Sequence, residues 1–106
     1  MSKDKSTEQM IQEKGLNAPR VTPTLIDEII INEQYYIFPD TTLTICRLGL
    51  KNGFSVTGES AAVSLANFNE EVGRKVAREN AMDKIWALEG YLLKQKLFEA
   101  VKDDND

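Results

Sequence analysis

Apolar residues first recur at helical spacing shortly after residue 20, at Leu25, Ile26, Ile29 and Ile30. Thr22 suits the N-cap of such a helix, and Pro23 suits its first position, where the missing N–H costs nothing. We therefore predict a helix that begins at Pro23 and runs through these apolar positions.

A β-hairpin is predicted next. Strand-forming residues fill 42–50 and 54–57, and Gly58, Glu59 and Ser60 are expected to end the second strand. The two strands flank Asn52-Gly53, a favoured two-residue turn because both central positions need positive φ. A lone hairpin is marginal in water. It must therefore pack on helices, pair with another chain or find a further strand, for which residues 35–38 are the candidate.

A long helical pattern covers residues 69–101. Asn67 and Asn69 are alternative N-caps, and Glu70 and Glu71 favour the first turn because carboxylates stabilise the helix dipole there. Gly90 leaves open whether this is one bent helix or two helices. The apolar positions predicted to form one buried stripe are Val72, Val76, Ala81, Ile85, Leu88 and Leu92.

The predicted fold class is α+β, an antiparallel hairpin or small sheet packed against helices, with a long C-terminal helix or helix pair. At 106 residues one domain is expected. We assign 1–20 to a flexible N-terminal segment, 21–101 to the single domain and 102–106 to a frayed acidic tail. Within the first segment, a short helix over residues 8–14 stopped by Gly15 and a frayed terminus are both open.

Composition narrows the possible functions. The net charge is −4, which argues against a broad footprint on duplex DNA. There is no histidine and only one cysteine, Cys46, so histidine catalysis, a Cys–His pair and an internal disulfide are excluded. No secretory or membrane-spanning pattern is visible. We expect a soluble, cytoplasmic protein that binds no membrane, needs no metal or cofactor and is not an enzyme.

The most informative segment for chemistry is GRKVARENA at 73–81. Arg74 and Arg78 are i,i+4 neighbours on a helix, and two guanidinium groups on one face suit a phosphate or carboxylate, with Lys75 beside them. Gly73 costs about 1 kcal/mol in a helix interior, which hints at a close approach to the backbone. The alternative is a solvated face balanced by neighbouring glutamates.

Other candidates are weaker. Arg47 and Phe54 could project from the same side of the hairpin, where an aromatic ring stacks a base beside a cation. The residue type alone favours Phe54 as a core residue. Asn80 either bonds a ligand or a partner chain or is solvated. Trp86 and Tyr91 have the helical spacing of core or interface aromatics. Cys46 lies in the middle of a predicted strand and is interpreted as a small buried hydrophobic residue.

The chain resembles a family of small tailed-phage proteins, many of them without an assigned function. The matching segments are KNGFSVTGESA (51–61), NF (67–68), GRKVARENA (73–81), KIW (84–86), LEGYLL (88–93) and, upstream, EKGLNAPRVTP (13–23). It is also similar to the first Thoeris anti-defence family, phage proteins that sequester cyclic ADP-ribose signals and in some cases bind cyclic oligonucleotides. Ala62 and Leu65 depart from the pattern, where members often carry cysteine and proline.

The resemblance implies an α+β homo-oligomer, a dimer or hexamer, that binds a nucleotide-like signal molecule without turnover in the infected bacterial cell. Carried over onto this sequence, Phe54 would stack the ligand, Asn80 would supply a polar contact, and Arg74, Lys75 and Arg78 would hold phosphate. Arg47 joins these candidates from its predicted place beside Phe54 on the hairpin. The alternative is an acidic protein–protein interaction module that inhibits or redirects a host factor.

Overall fold

The computed structural model describes residues 5–16 and 18–104. In chain order the elements are α1 (Lys5–Glu13), α2 (Pro23–Ile29), β1 (Ile30–Ile37), β2 (Leu43–Leu50), β3 (Ser55–Ala61), a 3-10 turn (Leu65–Asn67) and α3 (Glu70–Asp104). The three strands form one antiparallel sheet in the order β1-β2-β3. The predicted α+β class is confirmed. Part of the predicted N-terminal segment (1–4 and 17) and the last two residues of the predicted tail lie outside the described residues.

Helix α2 begins as the sequence predicts and ends earlier than predicted. The backbone N–H of Leu25 donates to Oγ1 of Thr22 at 3.2 Å, which caps the helix. Ile30 belongs to β1, so the third strand starts five residues before residue 35. The run of β-branched residues 29–31 favours extended backbone, and pairing with β2 stabilises it there.

The turn between β2 and β3 differs from the predicted two-residue type. The N–H of Gly53 donates to the carbonyl of Leu50 at 2.9 Å, and the N–H of Leu50 donates to the carbonyl of Phe54 at 2.8 Å. Gly53 has a φ of 90°, whereas Asn52 is not in the positive-φ region. The loop is therefore three residues long, a tight turn followed by a left-handed glycine.

The sheet has one covered face and one open face. Cys46 pairs with Tyr35 on one side and with Gly58 on the other, which fixes which residues share a face. The residues buried beneath α3 include Thr44, Cys46, Leu48 and Val56. The opposite face carries Asn32, Gln34, Tyr36 and Arg47, and within the described chain no helix packs over it.

Helix α3 is one continuous helix through Gly90. The N–H of Val72 donates to Oδ1 of Asn69 at 3.0 Å, so Asn69 is the cap. The predicted buried stripe is only partly right, because four of its members are exposed: Val72, Val76, Leu88 and Leu92. The residues of α3 that are buried are Gly73, Ala77, Ala81, Ile85 and Trp86.

Ala77 and Ala81 are small because α3 and β3 approach each other backbone to backbone at these residues. A Cβ added to Gly58 would lie 2.2 Å from the carbonyl oxygen of Ala77 and 2.2 Å from the nitrogen of Ala81. Gly58 therefore sits in the middle of β3 as the point of contact. The prediction that the strand ends at 58–60 was wrong, since β3 continues to Ala61.

Helix α3 is longer than the sheet that it covers. Its 35 residues span about 52 Å, and the chain measures 60 Å along its longest axis. Thr44 lies against Gly73 at one end of the sheet, and the hairpin turn lies beside Glu89 at the other. Residues 90–104 thus form an overhang beyond the sheet. One side of this overhang faces α1 across an apolar groove lined by Ile11, Val21, Leu93 and Leu97, with an Arg20–Glu8 ion pair beside it.

Substituting Gly58 by alanine tests the close contact. We expect Gly58→Ala to lower the free energy of unfolding by about 3 kcal/mol. The added Cβ would clash with backbone atoms of α3, which cannot move aside as the end of a flexible side chain could. Thr57→Ala, an exposed neighbour on the same strand, should cost less than about 1 kcal/mol. Urea denaturation of both variants measures the difference, and equal losses would contradict the packing described here.

Candidate functional site

Two arginines of α3 reach across to β1. Arg78 Nε donates to Oε1 of Glu33 at 2.9 Å, and the Arg74 guanidinium carbon lies 5.6 Å from the centre of the Tyr35 ring. We call these four residues the arginine bridge (Glu33, Tyr35, Arg74 and Arg78). The helix backbone lies over β2 and β3, so these side chains span the flank between α3 and β1.

The geometry of the bridge follows from two periodicities. Glu33 and Tyr35 are two apart on a strand, so both point to the face that carries α3. Arg74 and Arg78 are four apart on a helix and lie one above the other. The bridge therefore joins one face of the edge strand β1 to one face of α3. As predicted, the two guanidinium groups lie on the same face of the helix.

Arg74 is the more accessible of the two cations. Its side chain is 52% exposed and stacks on an aromatic ring, which favours a cation over the π face. Its ion pair with Glu70, at 4.0 Å, is long. Arg78 is more enclosed, since Nη1 also lies 2.9 Å from the sulfur of Met82. One guanidinium is thus open to an incoming anion, and the other is already paired.

Tyr35 works in this cluster as a neutral hydrogen-bond donor. Its hydroxyl donates to the same Glu33 oxygen that accepts from Arg78. Burial, and then the hydrogen bond to the Glu33 carboxylate, hold the pKa of Tyr35 well above its ordinary value. The phenol therefore stays protonated at neutral pH and fixes the carboxylate in place.

The side chains that lie beneath the bridge, on the covered face of the sheet, are buried. Cys46 is fully buried, and burial raises the pKa of its thiol, an effect that the neighbouring Tyr35 hydroxyl only partly offsets. Thr44 is also fully buried, and its Oγ1 has no hydrogen-bond partner among the described residues. A Cβ on Gly73 would lie 2.9 Å from that oxygen, which confirms the predicted close approach to Gly73.

Arg47 and Phe54 do not share a surface, contrary to the sequence hypothesis. Arg47 lies on the open face, where its Nη1 donates to Gln34 Oε1 at 2.7 Å and to Asn32 Oδ1 at 3.1 Å. Phe54 is exposed and lines a groove of about 500 Å³ that includes Lys84 and Leu88 of α3. The two residues project from opposite faces because Phe54 follows the turn in the register of Val56, which points toward α3.

Asn80 and Lys75 also lie apart from the bridge contacts. Asn80 Nδ2 donates to the carbonyl of Glu59 at 2.7 Å, so it ties α3 to the edge strand β3. Lys75 is exposed on α3. Of the six predicted site residues, the structure brings together Arg74 and Arg78. Trp86 is buried as a core aromatic, whereas Tyr91 is 74% exposed.

Glu33 and Tyr35 are the bridge members that the sequence analysis missed. Residues 30–34 were not predicted to form a strand. Without that strand, the sequence does not indicate that Glu33 and Tyr35 point to the same face of a sheet. The signal was available in the β-branched run of Ile29, Ile30 and Ile31, which favours a strand over a continued helix.

Neither a metal centre nor a membrane span is found in the described parts of the chain. Among residues 5–16 and 18–104, no three histidine, cysteine or acidic side chains cluster as metal ligands. Over the same ranges, no helix is long and apolar enough to cross a membrane.

Comparison with known protein families places the chain beside a phage family. The sequence model of a phage protein family, described as the N4 Gp49/phage Sf6 gene 66 family, matches residues 21–97, about three quarters of the chain. This range contains the sheet, the arginine bridge and most of α3. No curated protein and no solved structure matches the chain.

Thr44, which is buried beneath the bridge, offers a test of the packing there. We expect Thr44→Val to raise the free energy of unfolding by about 1 kcal/mol, because it replaces an unpaired buried hydroxyl with a methyl group of similar size. Thr44→Ser keeps the hydroxyl and loses a packed methyl, so it should lower stability by about 1 kcal/mol. Urea midpoints decide the matter, and a destabilised valine variant would mean that the hydroxyl has a partner.

Proposed function

The chain belongs to this phage protein family, and from that premise we propose that it sequesters a cyclic nucleotide-type immune signal without turnover. The ligand class is a cyclic ADP-ribose isomer, a cyclic oligonucleotide or both. The protein would then act as a counter-defence protein inside the infected bacterial cell. The sequence resemblance to the first Thoeris anti-defence family supports this choice of ligand.

The observation that carries the proposal is the arginine bridge. Two guanidinium groups one helical turn apart, one of them stacked on Tyr35, offer forked donors at a spacing suited to neighbouring phosphates. The net charge of the chain is −4, so the bridge would have to hold an anion through local contacts rather than through the overall charge of the protein. A selective small-anion site fits this pattern better than a broad nucleic-acid surface does.

Binding without turnover is proposed from the side chains at hand. The chain has no histidine to act as a general base near neutral pH. The one cysteine is fully buried, and burial raises the pKa of its thiol, so it is a poor nucleophile. The tyrosine in the bridge is held protonated. These groups can bind and orient an anion, and none of them is set up to cleave it.

We also propose that the protein self-associates, as a dimer or a hexamer. The exposed apolar residues that would meet a second copy lie along the end of α3: Leu88, Tyr91, Leu92 and Phe98. Three of these residues lie on the overhang beyond the sheet, and the stripe is more apolar than an exposed helix face needs to be. Symmetric pairing of two such stripes covers both, and sedimentation analysis of wild type against Leu92→Ser tests it.

A second candidate function is a protein–protein interaction module acting on a host factor. The open face of the sheet favours it, because Tyr36 and Phe38 are both exposed and their rings meet edge to face at 4.7 Å. Aromatic residues of this kind often anchor protein interfaces. A stoichiometric host partner that is recovered by wild type and lost with Tyr36→Ser would support this function.

Removing the two arginines tests the first proposal. We expect Arg74→Ala with Arg78→Ala to weaken binding of cyclic ADP-ribose isomers or cyclic oligonucleotides by about 100-fold or more, since charge-assisted hydrogen bonds are lost. Lys94→Ala with Lys96→Ala removes the same charge from the far end of α3 and should change affinity less than threefold. Calorimetry gives the affinities, and ligand binding raises the melting temperature by mass action.

The fate of the ligand completes this test. Intact ligand recovered after denaturing the complex supports sequestration, whereas a converted product would make the protein an enzyme. Unchanged affinity in the arginine double variant would show that the ligand binds elsewhere. If wild type binds no member of the ligand panel, the interaction module becomes the better account.

A further inference from the structure

One carboxylate oxygen already occupies the place where an anion would meet Arg78. Oε1 of Glu33 accepts from Arg78 Nε and from the Tyr35 hydroxyl at once. The Glu33 side chain is 36% exposed and that of Arg78 is 34% exposed, so solvent and solutes reach this pair. The carboxylate is therefore held on the cation by two donors while remaining accessible.

This placement makes Glu33 a competitor for any ligand of Arg78. A guanidinium binds a phosphate through a fork that uses Nε or the terminal nitrogens, and here Nε is taken by Glu33 while Nη1 faces the sulfur of Met82. Partly exposed ion pairs are weak and can be exchanged. A phosphate can thus take the arginine, provided that it offers more charge than the carboxylate that it displaces.

The two arginines of the bridge differ in how closely a carboxylate of the protein already occupies them. Arg74 has no close carboxylate among the described residues, since its nearest contact of this kind is Glu70 at 4.0 Å. Arg74 can accept a first phosphate directly, whereas Arg78 accepts a second only when Glu33 gives way. A ligand with one phosphate gains only the first contact, and a ligand with two adjacent phosphates gains both.

We propose that Glu33 is a built-in competing anion, which a ligand with two neighbouring phosphates, such as a pyrophosphate, must displace from Arg78 before it can engage both arginines of the bridge. This rests on the proposed function, because it assigns Glu33 a role in ligand binding at the same site. Tyr35 is the positioning residue that keeps the carboxylate on Arg78. A merely structural ion pair would make the opposite prediction, that losing Glu33 weakens both the fold and the site.

The test measures binding of inorganic pyrophosphate and inorganic phosphate by calorimetry. We expect Glu33→Gln to bind pyrophosphate about tenfold more tightly than wild type, and to bind phosphate more tightly as well, because one negative charge a few ångströms away is gone. Glu59→Gln removes the same charge from exposed β3 and should stay within twofold of wild type. Tyr35→Phe keeps the ring under Arg74 and frees the carboxylate, so it should raise pyrophosphate affinity about threefold.

The outcomes separate this inference from the proposed function. Unchanged or weaker pyrophosphate binding in both Glu33→Gln and Tyr35→Phe overturns the role of Glu33, as does an equal gain in Glu59→Gln. Absence of pyrophosphate binding in every variant overturns it too, because the bridge would then be no anion site. If Glu33→Gln gains affinity for pyrophosphate while no form binds a cyclic nucleotide, the inference stands and the proposed ligand class is wrong.

Discussion

The close contact between β3 and α3 is the constraint on which the rest of the structure depends. Gly58 allows the strand to touch the helix backbone at Ala77 and Ala81, so the helix is seated over β2 and β3 and away from β1. That offset leaves a flank which only long side chains can cross. Arg74 and Arg78 cross it to reach Glu33 and Tyr35, and the ligand site that we propose lies there.

This seating also explains why so much apolar surface stays exposed. Because the helix residues nearest β3 are small, several larger apolar side chains of α3, such as Val72, Val76 and Leu92, point elsewhere. Some of them lie on the overhang, beyond the hairpin turn, and the aromatic pair Tyr36–Phe38 lies on the uncovered face of the sheet. A chain of this size has few ways to bury these surfaces by itself. Partners, whether further copies or other molecules, are therefore part of the proposed account.

The sequence predicted local structure well and long-range placement less well. Thr22 and Pro23 marked the start of α2, and the hairpin and the long helix were found, because these signals act over a few residues. The identity of the buried stripe was missed, since it depends on Gly58, a residue about 20 positions away from the helix residues it touches. The arginine pair was predicted from helical spacing, whereas Glu33 and Tyr35 required knowledge of β1. Arg47 and Phe54 were separated by a turn one residue longer than predicted.

The central claim is that the arginine bridge is where an anionic ligand binds, and nitrogen-detected NMR of the arginine Nε–H groups tests it most directly. Cyclic ADP-ribose and a cyclic oligonucleotide would be titrated into the labelled protein. The account predicts that the signals of Arg74 and Arg78 shift together, with Arg78 exchanging Glu33 for the ligand, while Arg47 on the open face stays unchanged. A ligand that shifts Arg47 and leaves the bridge unmoved would contradict it.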